Sequence, residues 1–192
     1  MAETSPSLLC RCRQRDDNAA WQRLVDLYTP FIHGLLKRQN IPQQDASDLV
    51  QEVLAIVVRE LPTFEYDPKR GTFRAWLRTI TVNCLRAYWR RPTLRGSGDD
   101  KVYDMLDQLA DSNSEASRLW DQEHDQFVWR KLVDVIRPEF GPSTWRAFCL
   151  VTLEGVSPAQ AAEQLGITTN AVFIAKSRVM QRLKEEASGL ID

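Results

Sequence analysis

The side chains best suited by type and spacing to do chemistry in this 192-residue chain are cations rather than acids or thiols. Arg74, Arg78, Arg86 and Arg90 share one arc of a helical wheel at roughly 100° per residue, with Thr79 and Asn83 at its edge. From Glu65 to Arg95 eight basic residues meet two acidic ones, a local charge of +6. Tyr88 and Trp89 stand beside this series, and a loop containing Phe64 and Tyr66 feeds it. That combination suits a single-stranded nucleic acid, because cations follow the phosphates while rings accept unstacked bases. Phe73 and Trp76, by contrast, read as core. A second series, Lys176, Arg178, Arg182 and Lys184, gives Thr169 to Lys184 a charge of +4, suited to the phosphates that border a major groove.

Hydrolytic or transfer chemistry lacks its parts. His33 and His124 are isolated, no glycine-rich phosphate loop occurs, and the carboxylates gather in one acidic stretch. Cys10, Cys12, Cys84 and Cys149 form one C-x-C and two singles, too few for a disulfide framework or a zinc site. They read as reduced thiols of a cytoplasmic protein, with the C-x-C incidental. The expectation is a non-enzyme with no metal and no cofactor. The opening Met1–Pro6 has neither the basic leader nor the apolar stretch of a secretory signal, and no window approaches a membrane span.

The elements that must hold these cations are helices. Apolar residues recur at helical spacing, and no stretch alternates long enough for a sheet, so the fold class is all-α. Helices are expected at 19–39, bent or broken at Pro30, at 44–61, closed by Pro62, and at 73–91, ended by Pro92. Residues 63–72 form a loop with a turn at Asp67-Pro68 and a permissive Gly71. Helices resume at 121–136, 142–153 and as a compact pair over 157–187. The net charge of −1 conceals +5 over residues 1–95, −7 over 96–126 and +1 over 127–192. Two helical modules joined by a flexible acidic linker follow, the linker carrying at most a short helical turn at 102–109. The boundaries are an N-terminal tail 1–16, a module 17–92, the linker 93–120, a module 121–187 and a C-terminal tail 188–192.

The terminal pair has a helix-turn-helix pattern. Ser157 with Gln160 three residues on and Pro158 at the first helical position start one helix. Gly166 follows where a left-handed cap belongs, and Thr168 starts the second. Opposite the stripe Val172, Ala175, Val179 and Leu183 lie Asn170, Phe173, Ile174, Ser177 and Gln181. An ordinary helical hairpin with a solvated basic face would show the same features. On the helix 44–61, Leu49, Val50, Val53, Leu54, Ile56, Val57 and Leu61 make a buried face. Asp48, Gln51, Glu52 and Arg59 line the other side around Ala55, which serves equally as a docking surface for a partner helix or as plain solvated helix.

In combination these residues resemble a known family. Asp48-Leu49-Val50-Gln51-Glu52-Val53, then Phe73-Arg74-Ala75-Trp76-Leu77 running on to Asn83, then Tyr88-Trp89-Arg90-Arg91 and a terminal helix-turn-helix are similar to the extracytoplasmic-function sigma factors, bacterial initiation factors that keep only conserved regions two and four. The resemblance spans about residues 17–92 and 121–187. It implies a subunit that binds the RNA polymerase core and directs it to promoters. Asp48, Gln51, Glu52 and Arg59 would then dock on the coiled coil of the β′ clamp. The loop 64–72 with Arg74, Arg78, Asn83, Arg86 and Arg90 would read and hold the opened −10 element. Thr169, Asn170, Phe173, Lys176, Ser177 and Arg178 would meet the −35 duplex while the same module touches the β flap. The acidic linker would run through the basic RNA-exit and active-site channel. An anti-sigma factor is a further partner the resemblance allows, and no membrane insertion is implied. The alternative is a helix-turn-helix regulator with an unrelated helical partner-binding domain.

Two departures from the family pattern matter. The usual reader helix has Val directly before Lys-Ser-Arg, whereas Phe173-Ile174-Ala175 here separates Val172 from Lys176-Ser177-Arg178. Phe173 and Ile174 could meet thymine methyls, an inhibitory partner or neighbouring core. Four residues after Asn83 the family often carries a polar or acidic residue, and Ala87 stands there instead.

Overall fold

The computed structural model describes residues 7–14, 17–39, 41–64, 72–91 and 100–191, and these are helical, with no β-strand among them. The helices are α1 (Leu8–Arg13), α2 (Asn18–Arg38), α3 (Gln43–Glu60), α4 (Phe73–Trp89), α5 (Asp100–Ala110), α6 (Glu115–Ile136), α7 (Pro142–Phe148), α8 (Pro158–Leu165) and α9 (Thr169–Ala187). Among the described residues, no helix is long and apolar enough to cross a membrane. The chain divides into two compact units, one over residues 7–128 with 188–191 and one over 129–187.

In the first unit, α2 and α3 each bury one apolar stripe, Leu24, Tyr28, Ile32 and Leu36 from one and Leu49, Val53 and Val57 from the other. Both α2 and α4 pack against α3 or its neighbours through such stripes, which is how amphipathic helices of this length gain most of their stability. Asp17 starts α2 by accepting from the Ala20 amide, and Thr72 starts α4 by accepting from the Ala75 amide. Pro30 lies inside α2, which is not broken there and runs on as helix to Arg38.

Three boundaries differ from the sequence expectation. Residues 8–13, expected within a tail, form α1 and bury Leu8, Leu9 and Cys12. Leu190 is buried too, within the other expected tail. Most consequentially, the segment expected as a flexible linker over 93–120 is helical from residue 100 onward, apart from the turn at 111–114. Its acids obscured an apolar stripe, since Leu106, Leu109 and Trp120 are buried. Ser117 closes the turn, its hydroxyl donating to the Leu109 and Asp111 carbonyls at 3.0 and 2.6 Å. Residues 93–99 lie outside the described residues. The division between units accordingly falls inside α6, at Val128, and not at residue 120.

The second unit is built on α7, α8 and α9. Ala147, Leu150, Ala161, Ala162, Val172 and Ala175 form its core, with Val151, Val156, Leu165 and Ile167 packed around them. Small alanines at the contact let the helices approach closely. α7 continues through a π-turn, Cys149–Leu153, to a bend at Gly155 (φ +71°).

Candidate functional site

α4 has two polar faces with different fates. Thr79, Asn83, Ala87 and Arg90 are exposed and follow one another at spacings of four, four and three, a single open stripe. Arg74 and Arg78, one arc away, are instead engaged by α6. The Arg74 Nη1 lies 2.5 Å from the Asp125 carboxylate, and its Nε lies 3.6 Å from Asp121. Arg78 is 5 % exposed and its Nη1 sits 2.5 Å from Asp121. Arg86 is half-buried and pairs with Asp107 of α5 at 2.6 Å. The −10 set expected from sequence therefore divides into Asn83 and Arg90 on the open stripe and three arginines held by acids of this same unit.

The grip of α6 continues through His124. Its ring is fully buried, stacks on Tyr28 and meets Phe31 edge-on. Burial, then the charge of Asp125, raises the Tyr28 hydroxyl well above its ordinary value, so it stays protonated. Asp125 titrates below the usual carboxylate range: burial alone would raise it, but the His124 hydrogen bond and the Arg74 guanidinium outweigh that. His124 bridges the two, its Nδ1 3.0 Å from the Asp125 carboxylate and its Nε2 3.0 Å from the Tyr28 hydroxyl. The sequence showed His124 only as an isolated histidine. The signal available was the matching of Arg74 and Arg78 with Asp121 and Asp125, each pair four residues apart.

The aromatic residues also sort by burial. Phe73 is fully buried and Trp76 half-buried against Phe64, ring centroids 4.7 Å apart. Tyr88, expected near bases, is core: it is 2 % exposed and donates to Asp45 at 2.6 Å. Of the loop 64–72, residues 65–71 lie outside the described residues, Tyr66 among them.

On α3, Asp48, Gln51, Glu52, Ala55 and Arg59 are all exposed on one side, beside a Val58 that is 43 % exposed. Arg59 pairs only with its neighbour Glu60 among the described residues, at 2.9 Å. Leu49, Val50, Val53, Leu54 and Val57 between them are buried, which leaves a short polar strip centred on a small alanine with Val58 at its edge.

Residues 24–94 match the family model for sigma-70 region 2. That segment is similar to sigma-70 region 2. Its limits run from α2 through α4 and contain both the polar strip of α3 and the open stripe of α4. Region 2 supports a place for the chain in the sigma-70 superfamily, with RNA polymerase and promoter DNA as partners and promoter-specific transcription initiation as the role. Factors of that kind regulate and do not catalyse. No curated protein matches the chain significantly.

In the second unit α8 and α9 follow one another across a short turn. Ser157 and Gln160 form a reciprocal capping box at the start of α8, and Gly166 ends it at φ +63°. Thr168 caps α9 by accepting from the Ala171 amide at 3.2 Å. Thr169, Asn170, Phe173, Ile174, Ser177, Arg178 and Gln181 are exposed on α9, and Lys176 is half-buried. Arg182 is not part of that face, because it pairs with Glu139 at 2.7 Å and with buried Glu186 at 2.9 Å.

Proposed function

We propose that the chain is a sigma factor of the extracytoplasmic-function type, whose region 2 grips core polymerase and melted template while the second unit acts as region 4. The reading rests on one observation above others: a match to region 2 whose α4 keeps an open polar stripe, in one chain with a capped helix pair, α8 and α9, whose second helix keeps its outer face open. Asp48, Gln51, Glu52 and Arg59 dock on the coiled coil of the β′ clamp. Asn83 and Arg90 meet the displaced −10 strand, where an amide reads a base edge and a guanidinium holds phosphate. Arg74, Arg78 and Arg86 support that helix from behind through their carboxylate partners and reach phosphate only where a pair opens. Thr169, Asn170, Phe173, Lys176, Ser177 and Arg178 face the −35 duplex, and the β flap holds the same module. The factor works in the cytoplasm, where core polymerase and promoter DNA are, and an anti-sigma factor is its natural antagonist.

A helix-turn-helix regulator with an unrelated front domain leaves the region 2 match without a purpose. Reactivity of unpaired thymines to permanganate on a responsive promoter tests the reading. Asn83→Ala is expected to reduce −10 reactivity several-fold while upstream duplex protection persists. Equal loss of both would contradict a single-strand role.

A further inference from the structure

Two large apolar side chains stand exposed in the middle of the α9 outer face, Phe173 at 54 % and Ile174 at 45 %. Exposure removes neighbouring core as their explanation. They are not a broad apolar patch of the size that marks protein docking, because Asn170 precedes them and Ser177 and Arg178 follow, all exposed and polar. Nor is the setting acidic: no carboxylate occurs from Thr169 to Lys184, while Lys176, Arg178 and Lys184 do. An apolar pair framed by hydrogen-bonding groups and cations matches one surface in particular. In the major groove the thymine C5-methyl is the apolar element of the base-edge pattern, and phosphates flank it on both sides. Two adjacent residues on a helix diverge by about 100°, so the pair spans neighbouring base steps and does not share one.

We infer that Phe173 and Ile174 are specificity residues that read thymine methyl groups in the upstream duplex, in place of a hydrogen-bonding reader at this point of the helix. The inference deepens the region 4 role proposed above and rests on it. Its consequence is a preference for thymine over cytosine, and over uracil, at one or two base steps. Hydrogen-bond readout would not distinguish uracil from thymine, since the two differ only in that methyl.

The test uses the full chain assembled with core polymerase and a promoter fragment selected from a random library, at one fixed salt concentration. Deoxyuridine replaces thymidine one position at a time in the protected upstream element. Wild-type binding is expected to weaken about three- to tenfold at one or two positions. Those penalties should vanish in Phe173→Ala or Ile174→Ala and persist in Leu153→Ala, whose exposed side chain lies outside α9. Uracil penalties that survive both α9 substitutions, or no upstream penalty at all, would overturn the inference. So would unchanged promoter affinity in both variants with loss of self-association or of binding to another protein. Absence of any sequence-selective upstream protection would instead bring down the region 4 reading itself, and this inference with it.

Discussion

Arg78 of α4 and Asp121 of α6 form a charge pair 2.5 Å long, with the arginine side chain 6 % exposed and the aspartate 28 % exposed. A guanidinium on a helix expected to face nucleic acid is thus taken by an acid forty-three residues downstream. The pair ties the front half of α6 to the matched region 2, with the Arg74 contacts and the Tyr28–His124–Asp125 chain alongside it.

Removing one partner of so buried a pair strands the other charge, which costs more than the intact pair contributes. Asp121→Asn is expected to destabilise the chain by about 2–3 kcal/mol, read as a lowered urea midpoint at unchanged slope. Arg78→Met combined with Asp121→Leu should cost less than Asp121→Asn alone. A neutral Asp121→Asn would show that α6 does not hold α4.

Acid should weaken the same attachment. Asp125 and Glu123 both titrate below their ordinary values in the folded chain, Asp125 through His124 and Arg74 against opposing burial, Glu123 through its hydrogen bond to Arg38. A carboxyl depressed on folding contributes stability above its unfolded pKa, near 4, and loses it as pH falls through the folded value. Unfolding midpoints should therefore hold from pH 7 to about 5 and fall below about 4. In Asp125→Asn the acid limb should be shallower. An identical limb in that variant would remove Asp125 from the account.

The thiols should differ sharply in reactivity. Burial pushes Cys12 up to about 12 and Cys84 up to about 11, and it raises Cys149 as well, whereas Cys10 is exposed. A neutral aromatic disulfide reagent at pH 8 should titrate one thiol quickly in the native protein and four in denaturant. Two fast thiols, both lost on mild oxidation, would make Cys10 and Cys12 a redox pair.

The polar strip of α3 should matter for association and not for folding. Gln51→Ala with Glu52→Ala, or Asp48→Arg alone, is expected to weaken capture of core polymerase about tenfold, ~1.4 kcal/mol. Exposed positions of this kind seldom move stability by more than about 0.5 kcal/mol. Unchanged capture would take the strip out of the interface.

Much of this was legible in the sequence. The helices α2 to α4 declared themselves by period and by proline stops, and the pair α8 and α9 by its caps, because those signals are local. The open stripe was half visible: Asn83 and Arg90 belong to it, while Arg74 and Arg78 differ from them only by facing α6. That distinction depends on a contact between residues 74–78 and 121–125, which no local period records. For the same reason α5 and the front of α6 were read as linker, since seven net negative charges masked three buried apolar anchors. The partner of Tyr88 was likewise hidden, because Asp45 lies on another helix.

Run-off transcription on a genomic fragment library, with core polymerase alone and with core plus the purified chain, tests the central claim most directly. The account predicts discrete transcripts that require the chain, start at defined positions and share sequence upstream. Transcripts no different from those of core alone, with no shared upstream sequence, would contradict it.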